Sequence, residues 1–318
     1  MTNDGIFTSS DITAANIVKI SRKQSALEEQ RICELSELAA DAARYAAEME
    51  REGYGMYEIL SLIADGFLPT EHAPHENSLL ENRMRLMDYL KITSAYDKIA
   101  FTELFYGLMK ESGSEISEGD FLKTVHGDNT FTYVKNSLAD EAYDVFTQEF
   151  PDARVRYSKT LSDAAHLVAQ SEVEYALLPL EERGGARLAT VAELIFKEDL
   201  KINSVTPVFG FEGTADMKYA LVSRGFKVPP VCSDDDRYLE IRLRADLSVP
   251  LSELFLAAES LGCLLYRVNT ISFDTDDGAV SYYSIVFKDE DKDFSALLVY
   301  LTLFSGAYTP IGIYKNLE

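Results

Sequence analysis

Hydrophobic positions in the first hundred residues repeat with helical spacing. A stripe runs from Ile17 and Ile20 through Leu27, Cys33, Leu35, Leu38, Ala42 and Ala46 to Met49. It keeps close to the 3.6-residue period and predicts one long helix over residues 11–52. Gly53-Tyr54-Gly55 interrupts the pattern, and a short apolar helix is expected at 56–64. Pro69 and Pro74 mark a loop at 66–74. Further helices are expected at 79–90, with Leu80, Met84, Met87 and Leu90 inward, and at 99–110, with Phe101, Leu104, Phe105 and Leu108 inward. Residues 11–112 therefore read as an all-α domain, closed by a Ser-, Glu- and Gly-rich linker at 111–119.

From residue 120 the pattern changes. A strand at 122–125 meets the turn Gly127-Asp128-Asn129-Thr130, and a helix is expected at 131–150. Then come a strand at 154–157, a helix at 162–170 and an apolar strand at 175–180. That strand ends in the polar loop Glu181-Glu182-Arg183-Gly184-Gly185. A helix at 188–197 and strands at 200–209 and 218–223 complete residues 120–227. Strands alternating with helices predict a parallel sheet with right-handed crossovers. Ligands of such sheets sit beyond the carboxyl ends of the strands, where both polar loops are expected. Two prolines and three aspartates within 228–236 mark a second boundary. Residues 236–318 read as strand 238–243, helix 250–260 ended by Gly262, strands 264–273 and 280–287 around Asp276-Asp277-Gly278, helix 294–303 and strand 310–314. The order βαββαβ is the ferredoxin-like arrangement. The predicted fold class is thus multidomain: all-α, then a single α/β lobe, then α+β.

Composition narrows the function classes. A chain of 318 residues with 47% hydrophobic content can bury cores in two or three domains. A net charge of −23 argues against a nucleic-acid or anionic-membrane surface, and an anionic ligand would need local cations. The longest apolar run falls well short of the ~20 residues of a membrane span. Residues 1–10 are polar and lack a signal pattern. Cys33, Cys232 and Cys263 are odd in number and far apart, which predicts a reducing cytoplasm and neither a disulfide framework nor a metal knuckle.

The titratable residues show no metal cluster and no cofactor signature. His72 and His75 flank Pro74, which spoils a helical ligand pair, His166 lies within a helical segment, and His126 lies at the strand-to-turn junction. There is no P-loop, no G-x-G-x-x-G after a strand and no G-x-S-x-G elbow. The loop residues Asp128, Asn129, Thr130, Glu181, Glu182 and Arg183 are left as the candidate mouth. Asn129 and Thr130, ahead of a helix, would present backbone N–H groups to a carboxylate; Thr130 serves equally as an N-cap. Glu181 and Glu182 could do acid/base work or form a solvated rim, since adjacent loop residues point apart.

These residues resemble a family. Gly127-Asp128-Asn129-Thr130-Phe131-Thr132 looks like the G-P-E-G-T-F-T of prephenate dehydratases, with the T-F-T end intact. Residues 178–183 (LPLEER) are similar to L-P-I-E-N-S, residues 200–202 to the L-x-I before the hinge, and residues 217–224 (MKYALVSR) to T-R-F-L-V-I-S-R. The tail resembles an ACT domain, with Gly262 at the helix-ending glycine and Ile311-Gly312-Ile313-Tyr314 like the closing L-G-S-Y. The helical front falls where fused enzymes carry a chorismate mutase; Glu81-Asn82-Arg83 and residues 101–105 are faintly similar to it.

The resemblance implies substrate-binding positions at Asp128, Asn129, Thr130, Glu181, Glu182 and Lys218, with Thr130, Glu181 and Lys218 as catalytic candidates. It also exposes departures. The family's threonine falls at Met217, whose thioether can neither give nor orient a proton. Its arginine falls at Lys218, which lacks the bidentate fork. Residues 203–216 are too few for a second lobe that would close over a substrate. In the ACT-like tail, G-A-L becomes Val249-Pro250-Leu251 and E-S-R-P becomes Asn269-Thr270-Ile271-Ser272, leaving Val249, Leu251 and Asn269 at the ligand positions. The function implied is a catalytically degenerate regulator or binder in aromatic amino-acid (L-phenylalanine) metabolism. It would bind a small anionic pathway ligand and dimerise through the ACT sheet. The alternatives are an active dehydratase or mutase, with Thr214 replacing the lost hydroxyl, and a protein-interaction module using the long first helix.

Overall fold

The computed structural model describes residues 9–65, 94–124, 128–150, 152–182, 185, 187–210, 216–229, 236–245, 250–275, 278–290, 293–305 and 308–317. Helix α1 spans Ser9–Arg51, α2 Met56–Asp65 and α3 Ala95–Glu111. The helix expected at 79–90 lies outside the described residues. Of the predicted stripe of α1, Leu27 and Cys33 lie in the stretch 21–34, which is exposed throughout, whereas Leu35, Ala42 and Ala46 are buried and Leu38 and Met49 pack against the core. Helix α3 starts earlier than its apolar pattern suggests, because Ser94 and Asp97 form a capping box, with Ser94 N–H donating to Asp97 Oδ2 at 2.8 Å.

The middle segment corrects the expected helix at 131–150. Thr130–Val134 is strand β1, and helix α4 begins at Ser137, ending at Phe146. The run Thr-Phe-Thr-Tyr-Val is β-branched and aromatic, which suits a pleated strand. Asn136 caps the helix by accepting the Ala139 N–H at 2.9 Å. Then follow β2 (Arg154–Ser158), α5 (Leu161–Ala169), β3 (Tyr175–Glu182), α6 (Ala189–Lys197), β4 (Lys201–Val208) and β5 (Met217–Ser223). Strands β2, β1 and β3 are parallel, but β5 runs antiparallel to both β3 and β4, so the sheet is mixed. Of the strand expected at 122–125, Thr124 makes a parallel bridge to Phe226, and Val125 lies outside the described residues.

The C-terminal segment contains β6 (Arg237–Arg244), α7 (Leu251–Ser260), β7 (Cys263–Thr275), β8 (Gly278–Asp289), α8 (Ser295–Tyr300, continued by a π-helical turn Leu301–Ser305) and β9 (Tyr308–Lys315). This is the expected βαββαβ order, with its strands arranged β9-β6-β8-β7.

The nine strands among the described residues belong to one sheet, ordered β2-β1-β3-β5-β4-β9-β6-β8-β7. The seam is β4 against β9, parallel, with Ile202 opposite Gly312. A Cβ on Gly312 would sit 2.8 Å from Ile202 Cβ and 2.9 Å from its carbonyl oxygen, so only glycine fits there. One core runs across the seam under α5 and α6, joining Leu178 and Ile202 to Tyr238, Val286 and Tyr314. On the opposite face, α4 covers Phe131, Leu177 and Tyr219. The front helices share a third core with α7, α8 and Leu239, Ile241, Phe287 and Ile313 of the sheet. No helix among the described residues is long and apolar enough to cross a membrane.

Candidate functional site

The carboxyl end of β3 carries the chemistry. Its register against β5 shifts between Pro179 and Glu181. Such a bulge re-aims the following side chains. Glu181 is turned inward and is 4% exposed, whereas Glu182 faces solvent. The chain then turns back at Gly185 (φ +83°), whose N–H donates to Glu182 O at 3.0 Å. This return forms a bridge that sets Arg187 opposite Glu181.

Arg187 is the centre of a buried ionic cluster. Its side chain is 6% exposed; Nη2 donates to Glu240 Oε2 at 3.0 Å and to Glu181 Oε1 at 3.4 Å, and Nη1 donates to Glu240 Oε1. Glu240, on β6 and 1% exposed, also accepts Ser284 Oγ at 2.7 Å and Tyr314 Oη at 3.3 Å. Arg267, on β7, donates through Nη1 to Glu181 Oε1. Burial opposes the charge on Arg187, but Glu240 and Glu181 outweigh it and hold the guanidinium above its ordinary range. Arg267 behaves likewise: burial lowers its affinity for the proton and the bond to Glu181 raises it further. Tyr314 is pushed well above 10, first by burial and then by Glu240.

Beside the cluster opens a cleft of about 330 Å³, near the lower end of the ~300–1,000 Å³ typical of ligand pockets. Its apolar wall is Pro207 and Phe209, with Met217 at the edge; Lys218, Arg267, Glu181, Glu182 and Asp216 supply its charges. Met217 also packs against the core under α4. Lys218 stands opposite Glu181 in register, yet the Glu181 carboxylate is drawn to the two arginines. Among the described residues, no carboxylate lies within ion-pair reach of Lys218. Beneath the cleft is a chamber of about 20 Å³, enough for one water, bounded by Tyr238, Tyr266 and Tyr314.

The structure brings Glu181, Glu182, Met217 and Lys218 together but leaves Asp128, Asn129 and Thr130 at the other end of the sheet. Asp128 and Asn129 precede β1 and Thr130 opens it, so the three lead into a strand, not a helix, and sit at the amino end of the parallel strands. Thr130 Oγ1 accepts the N–H of Glu174 at 3.0 Å. Glu174 is seven residues before Glu181, roughly 23 Å along the strand at ~3.3 Å per residue. Neither the N-cap role for Thr130 nor an anion site on a helix N-terminus is available there. Asn129 holds the sheet edge through Arg154 N–H (2.9 Å), and the side chain of Asp128 lies 3.8 Å from that of Arg154 in solvent.

His126, Arg183, Thr214 and Val249 lie outside the described residues, as do His72 and His75. His166 is on the exposed face of α5, with its ring 2.6 Å from Gln170 Nε2. Leu251 packs into the core with the front helices, whereas Asn269 pairs with Ser284 on the opposite face, the side facing Glu240. The two positions do not meet. Among the described residues, no group of three His, Cys, Asp or Glu is placed to hold a metal ion.

Arg187, Glu240, Arg267 and Tyr314 were not predicted. Arg187 follows a polar loop, and Glu240 occupies the polar phase of an alternating strand; only the covering helix α6 makes that phase an interior.

No protein-family model matches the chain, and neither does any curated protein sequence. Solved structures resemble it in part. A prephenate dehydratase from Streptococcus mutans shares 14% identity at a TM-score of 0.47, covering 59% of this chain and 99% of that one. GqqA, described as a novel type of quorum quenching acylase, shares 14% identity at 0.44, covering 59% and 96%. A prephenate dehydratase from Arthrobacter aurescens in complex with L-Phe shares 14% identity at 0.43, covering 58% and 89%. Likenesses this remote assign no activity, and the chemistry of the cleft has to be argued from its own residues.

Proposed function

We propose that this chain is a dehydratase-like cytoplasmic protein of aromatic amino-acid metabolism that binds a small molecule in the cleft without dehydrating it. The C-terminal βαββαβ segment is its ACT-type regulatory module. The observation that supports this reading is the state of the charges at the end of β3. Arg187 and Arg267 are bonded to carboxylates there, and the position of the family's threonine holds Met217, packed against the α4 core. Among the described residues, Lys218 remains as the cation available to a ligand, and one ammonium cannot both grip a dicarboxylate and protonate a leaving hydroxyl. Incubation with prephenate at neutral pH tests this. Phenylpyruvate is expected to form no faster than in buffer alone; formation at an enzyme-like rate sinks the reading.

Two copies then pair through the C-terminal half of the sheet, where β7 is the terminal strand. Sedimentation velocity should show a dimer, and a concentration-independent monomer refutes that part. A second reading, a protein-interaction module, is favoured by the exposed stretch 21–34 of α1, which presents Leu27 and Ile32 to solvent. Removing residues 9–34 separates the two: the interaction reading expects partner capture to be lost while cleft binding is unchanged.

A further inference from the structure

Resting on the binding reading above, we propose that the cleft takes a small zwitterion, an α-amino acid with an apolar side chain, whose carboxylate docks on Lys218. Three features of the cleft point there.

The first is the pairing pattern. Lys218 is half-buried at the carboxyl end of β3 and directly across from Glu181. In an isolated pair of strands it would bond that carboxylate. Arg267 and Arg187 have taken it instead, so the ammonium has no carboxylate partner among the described residues. A half-buried ammonium without an anion is poorly satisfied, and a ligand carboxylate supplies what is missing.

The second is the overall charge. Among the described residues, Glu181, Glu182 and Asp216 line the cleft with Lys218 and Arg267, three carboxylates against two cations. Glu181 and Arg267 bond each other and Asp216 Oδ1 accepts the Gly210 N–H at 3.2 Å, so the exposed Glu182 is the rim carboxylate that meets a ligand ammonium. A dicarboxylate would bring a second anion to this acidic rim. A ligand carrying one ammonium beside its carboxylate meets a cation with one group and the rim with the other.

The third is size and wall. A volume of about 330 Å³ suits a molecule of amino-acid dimensions. Pro207 lies opposite Lys218 in register on β4, and Phe209, 68% exposed, extends the same wall. A large aromatic ring left this open offers apolar contact to a ligand side chain.

Isothermal titration of the full chain with four probes decides the matter: L-phenylalanine, 3-phenylpropanoate (no ammonium), 2-phenylethylamine (no carboxylate) and prephenate (two carboxylates). Phenylalanine is expected to bind roughly tenfold or more tighter than either single-charge analogue, the scale of one charged hydrogen bond. Lys218→Ala should remove the advantage over the amine, and Glu182→Gln the advantage over the acid. Circular dichroism and melting of each variant confirm that it folds. Phenylalanine binding that survives Lys218→Ala unchanged places the ligand elsewhere and overturns the inference, as does an absence of binding by all four probes. Tighter binding of prephenate through Lys218 without turnover overturns the zwitterion class and leaves the binding reading standing. Conversion of prephenate to phenylpyruvate instead fells the binding reading itself.

Discussion

Two buried clusters of charge tie the C-terminal segment to the rest of the chain, and they differ in what adjoins them. In the first, Arg237 on β6 bonds Glu118, in the linker after the front helices, and lies 3.6 Å from Asp289. The other oxygen of Glu118 accepts the Phe294 N–H at 2.9 Å, and the Phe294 ring lies 5.6 Å from the guanidinium. Every charged side chain in this cluster is at most 10% exposed. In the second, Arg187, Glu181 and Glu240 are as deeply buried, but Arg267 leads out to the cleft, and beside it stands Lys218, with no carboxylate partner among the described residues. Burial of charge alone therefore does not mark a functional site. A closed cluster is a strut; a cluster that borders a cavity and has diverted a neighbour's partner leaves that neighbour available to a ligand.

The comparison is most severely tested by breaking the strut. Arg237→Met should destabilise the fold by ~3–5 kcal/mol, because Glu118 and Asp289 are left buried without their cation. Urea denaturation reads the loss, and ligand affinity at the cleft should be unaltered at temperatures where the variant is folded. Next comes the seam. Gly312→Ala drives a methyl group against Ile202 and should cost about 3 kcal/mol, the upper range for overpacking, as read by the same titration. Because Gly312 also pairs with Glu240, this change should disturb the cleft cluster as well. A third test enters the cleft cluster directly. Glu240→Gln leaves Arg187 with Glu181 alone and should cost ~1–3 kcal/mol. This cost is expected to be smaller than that of Arg237→Met because a second carboxylate remains.

The smallest expected effect is a pH dependence. Burial, with Glu240 second, holds Tyr314 protonated well above 10, and burial pushes Tyr175 up to about 12. The folded state keeps these protons longer than the unfolded chain. Stability is therefore complete below pH 10 and declines as the pH rises from 10 toward those raised values. Thermal melts between pH 9 and 12 should show this decline. Tyr314→Phe should lessen it at a cost of about 1 kcal/mol or less at neutral pH, since one bond to Glu240 is lost. An unchanged alkaline slope in Tyr314→Phe would remove that tyrosine from the account.

Legibility in the sequence follows the range of the interactions. The strand at 175–180, the helix at 188–197 and the βαββαβ order were readable because alternation and helical periodicity are local. Residues 131–134 carry no local sign that separates strand from helix start, since a turn such as Gly127-Asp128-Asn129-Thr130 can lead into either element. The strand assignment moved Asp128, Asn129 and Thr130 to the far end of the sheet. Glu181 and Lys218 stand opposite one another in register on β3 and β5. Arg187, Glu240 and Arg267 escaped notice because their bonds span 53 and 86 residues. A polar residue in an alternating strand gives no sign that both faces of that strand are covered.

The sequence by itself determined the elements, the acidic net charge, the glycine that only the β4–β9 contact requires, and the absence of a hydroxyl at Met217. Each depends on residue type or on spacing within a few turns. Tertiary structure decided that the middle and C-terminal segments share one sheet, that Glu240 lies in an interior, and that two arginines compete with Lys218 for Glu181. Those outcomes depend on which faces meet. Long-range pairing fixes that, and the energy of a charge changes most when a distant helix removes it from water.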